Sequence, residues 1–556
     1  MRAAVGPAGL VLAGLIVVLL FTNLLPLARL LERALDVDAL TWLLENPQAR
    51  RATIHSLRVS SLLALLATTL GAALVFLLER VELPGRRALR VMLLVPLVVP
   101  PQILAIAWLG WLGPAGTLTR AAQGLTGAPR PPWTLYGEGG IVLLLVVFAI
   151  PVAYLTLAAG LARVPRALEE AARIDGAGLV ALATRILFPA LRPVVLAALV
   201  LTFLAALGNF GIQALLGIPA RFPTLPTLIY TRITSFASGG FSQAAALALL
   251  MAVPALLALL AQARLGRRAE ALESELESPR RYLLRRHRRA VTACVWLIIG
   301  VFATLGPFAS MLVTASTRAY GLPLRLEHLT TRHFEFVLLG LDAFGRALQH
   351  SLLLAGGAAV ITSTMALGLG YALTKMGPRG TVVRLLVDLP YALPGIVFAL
   401  ALVLVWLRSP IPGVTLYGTV WLLLIAYVGH YLAFALHPLS AAWRQVDPAL
   451  EEAARLDGAG TLQVLWHVLL PMVAPTVAVA ALLVFLSAFT ELSLSALLAG
   501  ARSETLGWLV FGLEQAGSTN QAAALSCLLV AIVGTLALVA AGLRRATRAA
   551  LMPPPR

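Results

Sequence analysis

Ala167-Leu-Glu-Glu-Ala-Ala-Arg-Ile-Asp-Gly-Ala-Gly178 returns as Ala449-Leu-Glu-Glu-Ala-Ala-Arg-Leu-Asp-Gly-Ala-Gly460, with eleven of the twelve positions identical. The copies stand 282 residues apart, and Phe203 matches Phe485 at the same spacing. Upstream, Pro96 and Pro100 match Pro390 and Pro394 at a spacing of 294, and His55-Ser56-Leu57 matches His350-Ser351-Leu352 at 295. Agreement in register over that distance marks an internal repeat. The chain is two copies of one unit. The first copy carries 12 extra residues between its paired prolines and its motif, and the Gly- and Pro-rich stretch 114–138 accommodates them.

What kind of unit this is follows from composition. Of 556 residues, 60% are hydrophobic and 12% charged, and the mean hydropathy is +0.89. Soluble domains average about 45–50% apolar and about 25% charged residues. So little charge cannot clothe a soluble body of this length, and a disordered chain is excluded too. A membrane β-barrel would show short alternating segments, whereas this chain shows long apolar runs. About 20 apolar residues span a bilayer as a helix. Twelve such segments are read near 8–31, 57–79, 91–113, 139–162, 193–218, 242–263, 291–314, 348–374, 385–407, 417–439, 473–499 and 521–543. The run after Arg2 is too long for a signal peptide and has no clear cleavage site, so it reads as a retained first span.

With the N-terminus inside, the inner segments hold 28 Lys and Arg and the outer ones 13. The bias of basic residues toward the cytoplasm therefore predicts both termini inside. The net charge of +18 does not indicate nucleic acid, because the arginines flank apolar segments and form no stripe with interleaved aromatics. Cys294 and Cys527 lie inside apolar runs and supply neither a disulfide framework nor a metal cluster. Residues 1–264 form the first six-span half, 265–290 a charged cytoplasmic linker, and 291–556 the second half. An even number of spans per unit makes the repeats parallel. Both motif copies then fall between the fourth and fifth spans of their halves, on the cytoplasmic side.

Each motif has the chemistry of a short capped helix. Asp447 is placed as an N-cap with Pro448 at the first helical position. Pro165 starts the first copy, and Gly176 and Gly458 stand where a left-handed residue ends a helix. Glu169, Glu170, Glu451 and Glu452 lie in the first half of each helix, where the macrodipole favours negative charge. A helix of two to three turns is not stable alone in water, so a partner surface or the rest of its loop must hold it. A phosphate-binding loop needs Gly-x-x-x-x-Gly-Lys-Ser/Thr. The one lysine, Lys375, lies between Thr374 and Met376, which excludes that motif.

Glu170-Ala171-Ala172, Gly176, Ile186, Phe188 and Pro189 resemble the signature loop of the membrane subunits of binding-protein-dependent ABC importers. Glu452-Ala453-Ala454, Gly458, Val468, Leu470 and Pro471 resemble it a second time, with Phe188 and Val468 departing from the usual Leu and Ile. The resemblance spans both halves and implies an all-α integral membrane fold, the type I importer fold, of twelve transmembrane helices in two pseudo-symmetric halves. It implies that the loops 165–193 and 447–475 hold coupling helices that dock on two cytoplasmic ATPase subunits. The coupling residues would be Glu169, Glu170, Ala171, Ala172, Asp175 and Gly176, with Glu451, Glu452, Ala453, Ala454, Asp457 and Gly458. It further implies an extracytoplasmic solute-binding protein, a place in the bacterial inner membrane, and no catalysis by this chain, with ATP and Mg held by the partner ATPase.

Polar side chains at membrane depth are candidates for the pathway. Asn209 and Gln213 in the fifth segment and Glu491 in the eleventh stand out, and Asn209 and Glu491 are equivalent at the 282 spacing. His430 and His437 share a helix face but read as packing groups, and no metal site is expected. Pro96, Pro100, Pro101, Pro390 and Pro394 are expected to break or kink the starts of the third and ninth segments. The fused two-half form resembles iron(III) and thiamine importer permeases. The stretches Asn209–Pro219, Pro226–Tyr230 and Glu491–Leu498 are similar to ferric permeases, which makes iron(III) the expected solute, with thiamine, polyamine or another small solute as alternatives. A twelve-span secondary transporter is the rival. It would need intramembrane acid–base pairs, and Glu491 has no acidic counterpart in the first half.

Overall fold

The computed structural model describes residues 7–235, 238–270, 282, 288–377, 380–408, 412–460 and 463–551. In hydrocarbon a backbone can satisfy its own N–H and C=O groups only as a helix or a closed barrel, and the long apolar runs are helical. Among the described residues nine continuous helices and three bent pairs are long and apolar enough to cross a membrane, which makes twelve spans when each bent pair counts as one. In the first half they are α1 (Ala13–Ala34), α2 (Pro47–Arg80), α3 (Arg86–Val98 with Pro101–Thr126), α4 (Glu138–Leu161), α5 (Leu179–Ala190 with Arg192–Leu207) and α6 (Gly240–Ala261). In the second they are α7 (Arg288–Ser316), α8 (Asp342–Met376), α9 (Gly380–Ala392 with Gly395–Trp406), α10 (Val420–Gln445), α11 (Val464–Phe489) and α12 (Thr519–Leu536). Most of the linker expected at 265–290 lies outside the described residues.

Two of the expected spans are interrupted. The segments 193–218 and 473–499 read as continuous, but the helices stop at Leu207 and Phe489 and resume as Gly211–Gly217 and Ser495–Leu498. Hydropathy cannot register such a break, because the residues on either side are equally apolar. The proline pairs break the third and ninth segments, as expected. Pro100 and Pro394 take extended conformations (φ −55°, ψ 141° and φ −52°, ψ 137°). A residue preceding proline is driven out of the helical region, and Pro100 is followed by Pro101. There α3 turns by 112°, and at Pro394 α9 turns by 106°.

Each proline inside a helix also strips a partner from the carbonyl four residues earlier. Pro96 does this to Met92, and Pro390 to Leu386. Both carbonyls are approached from the other half of the chain. Asn23 on α1, 1% exposed, donates from Nδ2 to the Leu386 carbonyl on α9 at 3.1 Å. Thr304 on α7 stands 3.5 Å from the Met92 carbonyl on α3, while its shorter bond goes to Ile299 at 2.8 Å. Pro394 lies past the helix end at Ala392 and has no N–H to offer the Pro390 carbonyl, which accepts from His430 Nδ1 at 3.0 Å. The first span of each half therefore packs on the bent third span of the other, Leu25–Ala34 against Gly395–Trp406 and Gly306–Ser316 against Pro101–Leu112.

The His-Ser repeat has a matching role. His55 Nδ1 bonds the Pro223 carbonyl at 2.8 Å, and Ser56 Oγ accepts from the Leu225 amide at 2.7 Å. In the second half His350 bonds the Glu504 carbonyl at 3.1 Å, and Ser351 accepts from Leu506 at 2.9 Å. Each pair pins the head of the long second span, α2 or α8, to the start of a short helix, Leu225–Thr234 or Leu506–Gln515.

Replacing Asn23 by Leu should leave the Leu386 carbonyl buried and unpaired, at a cost of about 1–2 kcal/mol. Thermal unfolding in detergent should show a lower midpoint for Asn23→Leu. Thr69→Ala removes an exposed hydroxyl that bonds only within its own helix and should leave the midpoint unchanged.

Candidate functional site

The two motif copies fold alike. The first is the helix Arg166–Ile174 and the second Pro448–Leu456. Asp447 caps the second, its carboxylate accepting from the Ala449 amide at 2.9 Å. Both helices close on a left-handed glycine, Gly176 at φ +81° and Gly458 at φ +85°. The next amide reaches back in each case, Ala177 to Ala172 at 2.9 Å and Ala459 to Ala454 at 3.0 Å. A Cβ at either glycine would meet nothing within 4 Å, so glycine is required there by its backbone angle and not by lack of space.

The paired glutamates, placed in the first half of each helix, divide into an inner and an outer member. Glu169 is 1% exposed and Glu451 8% exposed, whereas Glu170 and Glu452 face outward. Arg80, at the end of α2, holds Glu169 with Nη2 at 2.8 Å and Nε at 3.0 Å, and also bonds the Leu161 carbonyl. Lys375, at the end of α8, holds Glu451 at 2.7 Å, joined by the Tyr371 hydroxyl at 2.9 Å and Arg455 at 2.9 Å. Arg80 and Lys375 occupy equivalent positions at the 295 spacing. Burial pushes the Glu451 carboxyl up, but hydrogen bonds from Lys375, Tyr371 and Arg455 outweigh it and hold the group below the usual carboxylate range. Each motif helix is thus fixed to the end of its half's second span by a buried carboxylate.

The opposite faces have no cover. Leu168 is 48% and Ile174 86% exposed, and Leu450 and Leu456 at the matching positions are 39% and 88% exposed. Ala171, Asp175, Ala453 and Asp457 are exposed beside them, while Ala172 is buried and Ala454 half-buried. Each copy presents an apolar and acidic ridge of the same composition.

At the other candidate site the polar residues cap the helix interruptions. Asn209 Oδ1 accepts from the Ile212 amide at 3.0 Å, and Gln213 donates to the Ala206 carbonyl at 2.8 Å. The Glu491 carboxylate accepts from the Leu494 amide at 2.9 Å and the Ser495 amide at 3.2 Å. The Asn209 and Glu491 bonds satisfy amides that open helix starts would otherwise leave bare, and the Gln213 bond satisfies a carbonyl in the last turn before the first interruption. The two interruptions lie near the bends of the opposite halves. Gln102, just past the α3 bend, donates to the Thr490 carbonyl at 3.0 Å, and a Cβ at Gly208 would come within 3.8 Å of Pro394. His430 is packed among Phe398, Tyr391 and Tyr431, and His437 bonds Asp388 at 2.8 Å. Among the described residues no three His, Cys, Asp or Glu side chains converge as metal ligands would.

Sequence reasoning missed Arg80, Tyr371 and Gln102, and noted Lys375 only as the lone lysine. The 295 spacing pairs Arg80 with Lys375 as basic residues, and Gln102 is an isolated amide after two prolines. Both signals were present.

Residues 67–271 and 359–550 match the model of the family described as binding-protein-dependent transport system inner membrane component. A probable ABC transporter permease protein of Sinorhizobium fredii is 27% identical over 84% of this chain and 83% of its own length. A ferric transport system permease protein of Actinobacillus pleuropneumoniae is 23% identical over 87% of this chain and 69% of its own. A molybdenum transport system permease protein of Escherichia coli is 32% identical over 39% of this chain and 93% of its own.

Lys375→Met should remove part of what holds the Glu451 carboxyl low. A carboxyl with a depressed folded-state pKa contributes stability above its unfolded value of about 4.3 and loses it as pH falls through the folded value. The gap in thermal midpoint between wild type and Lys375→Met should therefore be full near neutral pH and shrink below about pH 4.3. A gap that widens on acidification contradicts this.

Proposed function

The chain belongs to the family of binding-protein-dependent transport system inner membrane components, and from that premise we propose that it is the fused permease of an ATP-driven iron(III) importer. The observation that carries the reading is the pair of matched, uncovered ridges on helices each locked to a spanning helix by a buried carboxylate. Two equal ridges suit two copies of one partner, here two cytoplasmic ATPase subunits that bind ATP and Mg. An extracytoplasmic binding protein delivers the solute on the opposite face.

In this mechanism ATP draws the ATPase subunits together, and they carry the motif helices with them. The Glu169–Arg80 and Glu451–Lys375 pairs pass that movement to the ends of α2 and α8. The halves then rock about the bends of α3 and α9, and solute passes between the interruptions at Asn209 and Glu491. Iron(III) is favoured because permeases named as ferric align across both halves, for example one of Haemophilus influenzae over 90% of this chain at 25% identity. The molybdenum permease is a shorter protein that aligns over 93% of its own length at 32% identity but matches only 39% of this chain. A binding protein partner isolated with molybdate or sulfate would overturn iron and leave the rest of the mechanism standing.

Proteoliposomes holding the chain alone should accumulate nothing under a proton or sodium gradient. Adding the ATPase, iron-loaded binding protein and ATP should produce uptake. Gradient-driven accumulation by the chain alone would overturn the reading in favour of a secondary transporter. Replacing Gly176 and Gly458 together by Val forces a branched residue into the left-handed region. The expected result is an inserted protein that loses its ATPase during purification.

Glu491→Gln keeps an acceptor for the Leu494 amide and removes the charge. If the carboxylate meets a cation in transit, uptake should fall severalfold with thermal stability and ATPase retention unchanged. A fall in stability with normal uptake per folded protein would assign Glu491 to capping alone.

A further inference from the structure

The carboxylates inside the two motif helices are held by different sets of donors. In the second half the Glu451 acceptor is served by Tyr371, which lies one turn before Lys375 on α8. At the equivalent first-half position stands Phe76, which has no hydroxyl. The missing hydroxyl is supplied by Tyr282, from the segment joining the halves, which donates to Glu169 Oε2 at 2.9 Å. Tyr282 is 8% exposed, and its backbone is paired on both sides. Its amide donates to the Arg80 carbonyl at 2.8 Å, and its carbonyl accepts from the Glu82 amide at 3.1 Å. This bridge against Val81 fixes the residue by its main chain as well as by its side chain.

The neighbouring arginine has changed partner accordingly. Arg455 bonds Glu451 directly, one turn along the same helix. Its counterpart Arg173 lies 5.4 Å over the Tyr282 ring and bonds the Ala177 carbonyl at 2.9 Å. A guanidinium over an aromatic face is attracted by the ring's negative face. Tyr282 therefore touches the buried carboxylate, the basic residue of the spanning helix and the last turn of the motif helix.

We propose that Tyr282 is a positioning residue of the first motif helix, through which the joining segment completes the first ATPase-docking ridge as Tyr371 completes the second. The proposal rests on the coupling role given above to the motif helices. It makes the join between halves a working part of one half. The first ridge depends on a residue more than a hundred positions away, while among the described residues the donors that hold the second come from its own half.

The test uses the full chain co-purified with its ATPase, with Tyr282→Phe and the double variant Phe76→Tyr/Tyr282→Phe. Tyr282→Phe should speed hydrogen exchange in Arg166–Ile174 and leave Pro448–Leu456 unchanged, and less ATPase should be retained per chain. Phe76→Tyr/Tyr282→Phe, which supplies the hydroxyl from the position used in the second half, should restore both measurements. A change spread over both helices, no change in either, or a loss that the double variant does not restore would overturn the proposal. If exchange rises only in the first helix while ATPase retention stays normal, and the Gly176→Val/Gly458→Val variant also keeps its ATPase, the coupling reading fails and the placement by Tyr282 stands.

Discussion

A backbone carbonyl or amide left open inside hydrocarbon has no water to turn to, and this chain opens several of them. Pro96, Pro390 and Pro394 each free a carbonyl, and the interruptions after Leu207 and Phe489 each free a helix start. A polar side chain stands at each of these five. Asn23 answers Pro390 and His430 answers Pro394, while Asn209 and Glu491 cap the short helices that follow the interruptions. Because Asn23 and Thr304 reach across from the opposite half, satisfying the backbone also locks the two halves together. Bends of more than 100° in α3 and α9 are thereby compatible with a buried interior.

The repeat is close in architecture and loose in chemistry. His55 and His350, Ser56 and Ser351, and Arg80 and Lys375 perform the same tasks at matched positions. Elsewhere one task is done by different groups, as with the amide of Asn209 and the carboxylate of Glu491. The Thr304 contact with Met92 is longer than the Asn23 bond to Leu386, so the stripped carbonyl of the first half is served less well. A fused chain is free to diverge in this way, since neither half must pair with a copy of itself.

Much of this was legible in the sequence. Twelve apolar runs gave twelve spans, and the repeated motif gave two capped helices, with glycine required at 176 and 458 by its backbone angle. What could not be read was direction. Nothing local tells that Glu169 turns inward and Glu170 outward, because that depends on where the end of α2 places Arg80. The interruptions at Asn209 and Glu491 were likewise invisible to hydropathy, which averages over them. Tyr282 lay in a charged stretch that reads as a solvated linker, and its bond to Glu169 spans 113 positions.

The uncovered ridges lie on Arg166–Ile174 and Pro448–Leu456. Apolar side chains as exposed as Ile174 and Leu456 on short helices call for a partner surface. The most direct measurement is cysteine cross-linking from Ile174→Cys and Leu456→Cys to the ATPase subunits in native membranes. The account predicts that both positions cross-link to the ATPase, each to a separate copy, in wild-type-like transport complexes. Cross-linking of neither position, with the ATPase captured instead from another loop, would contradict it.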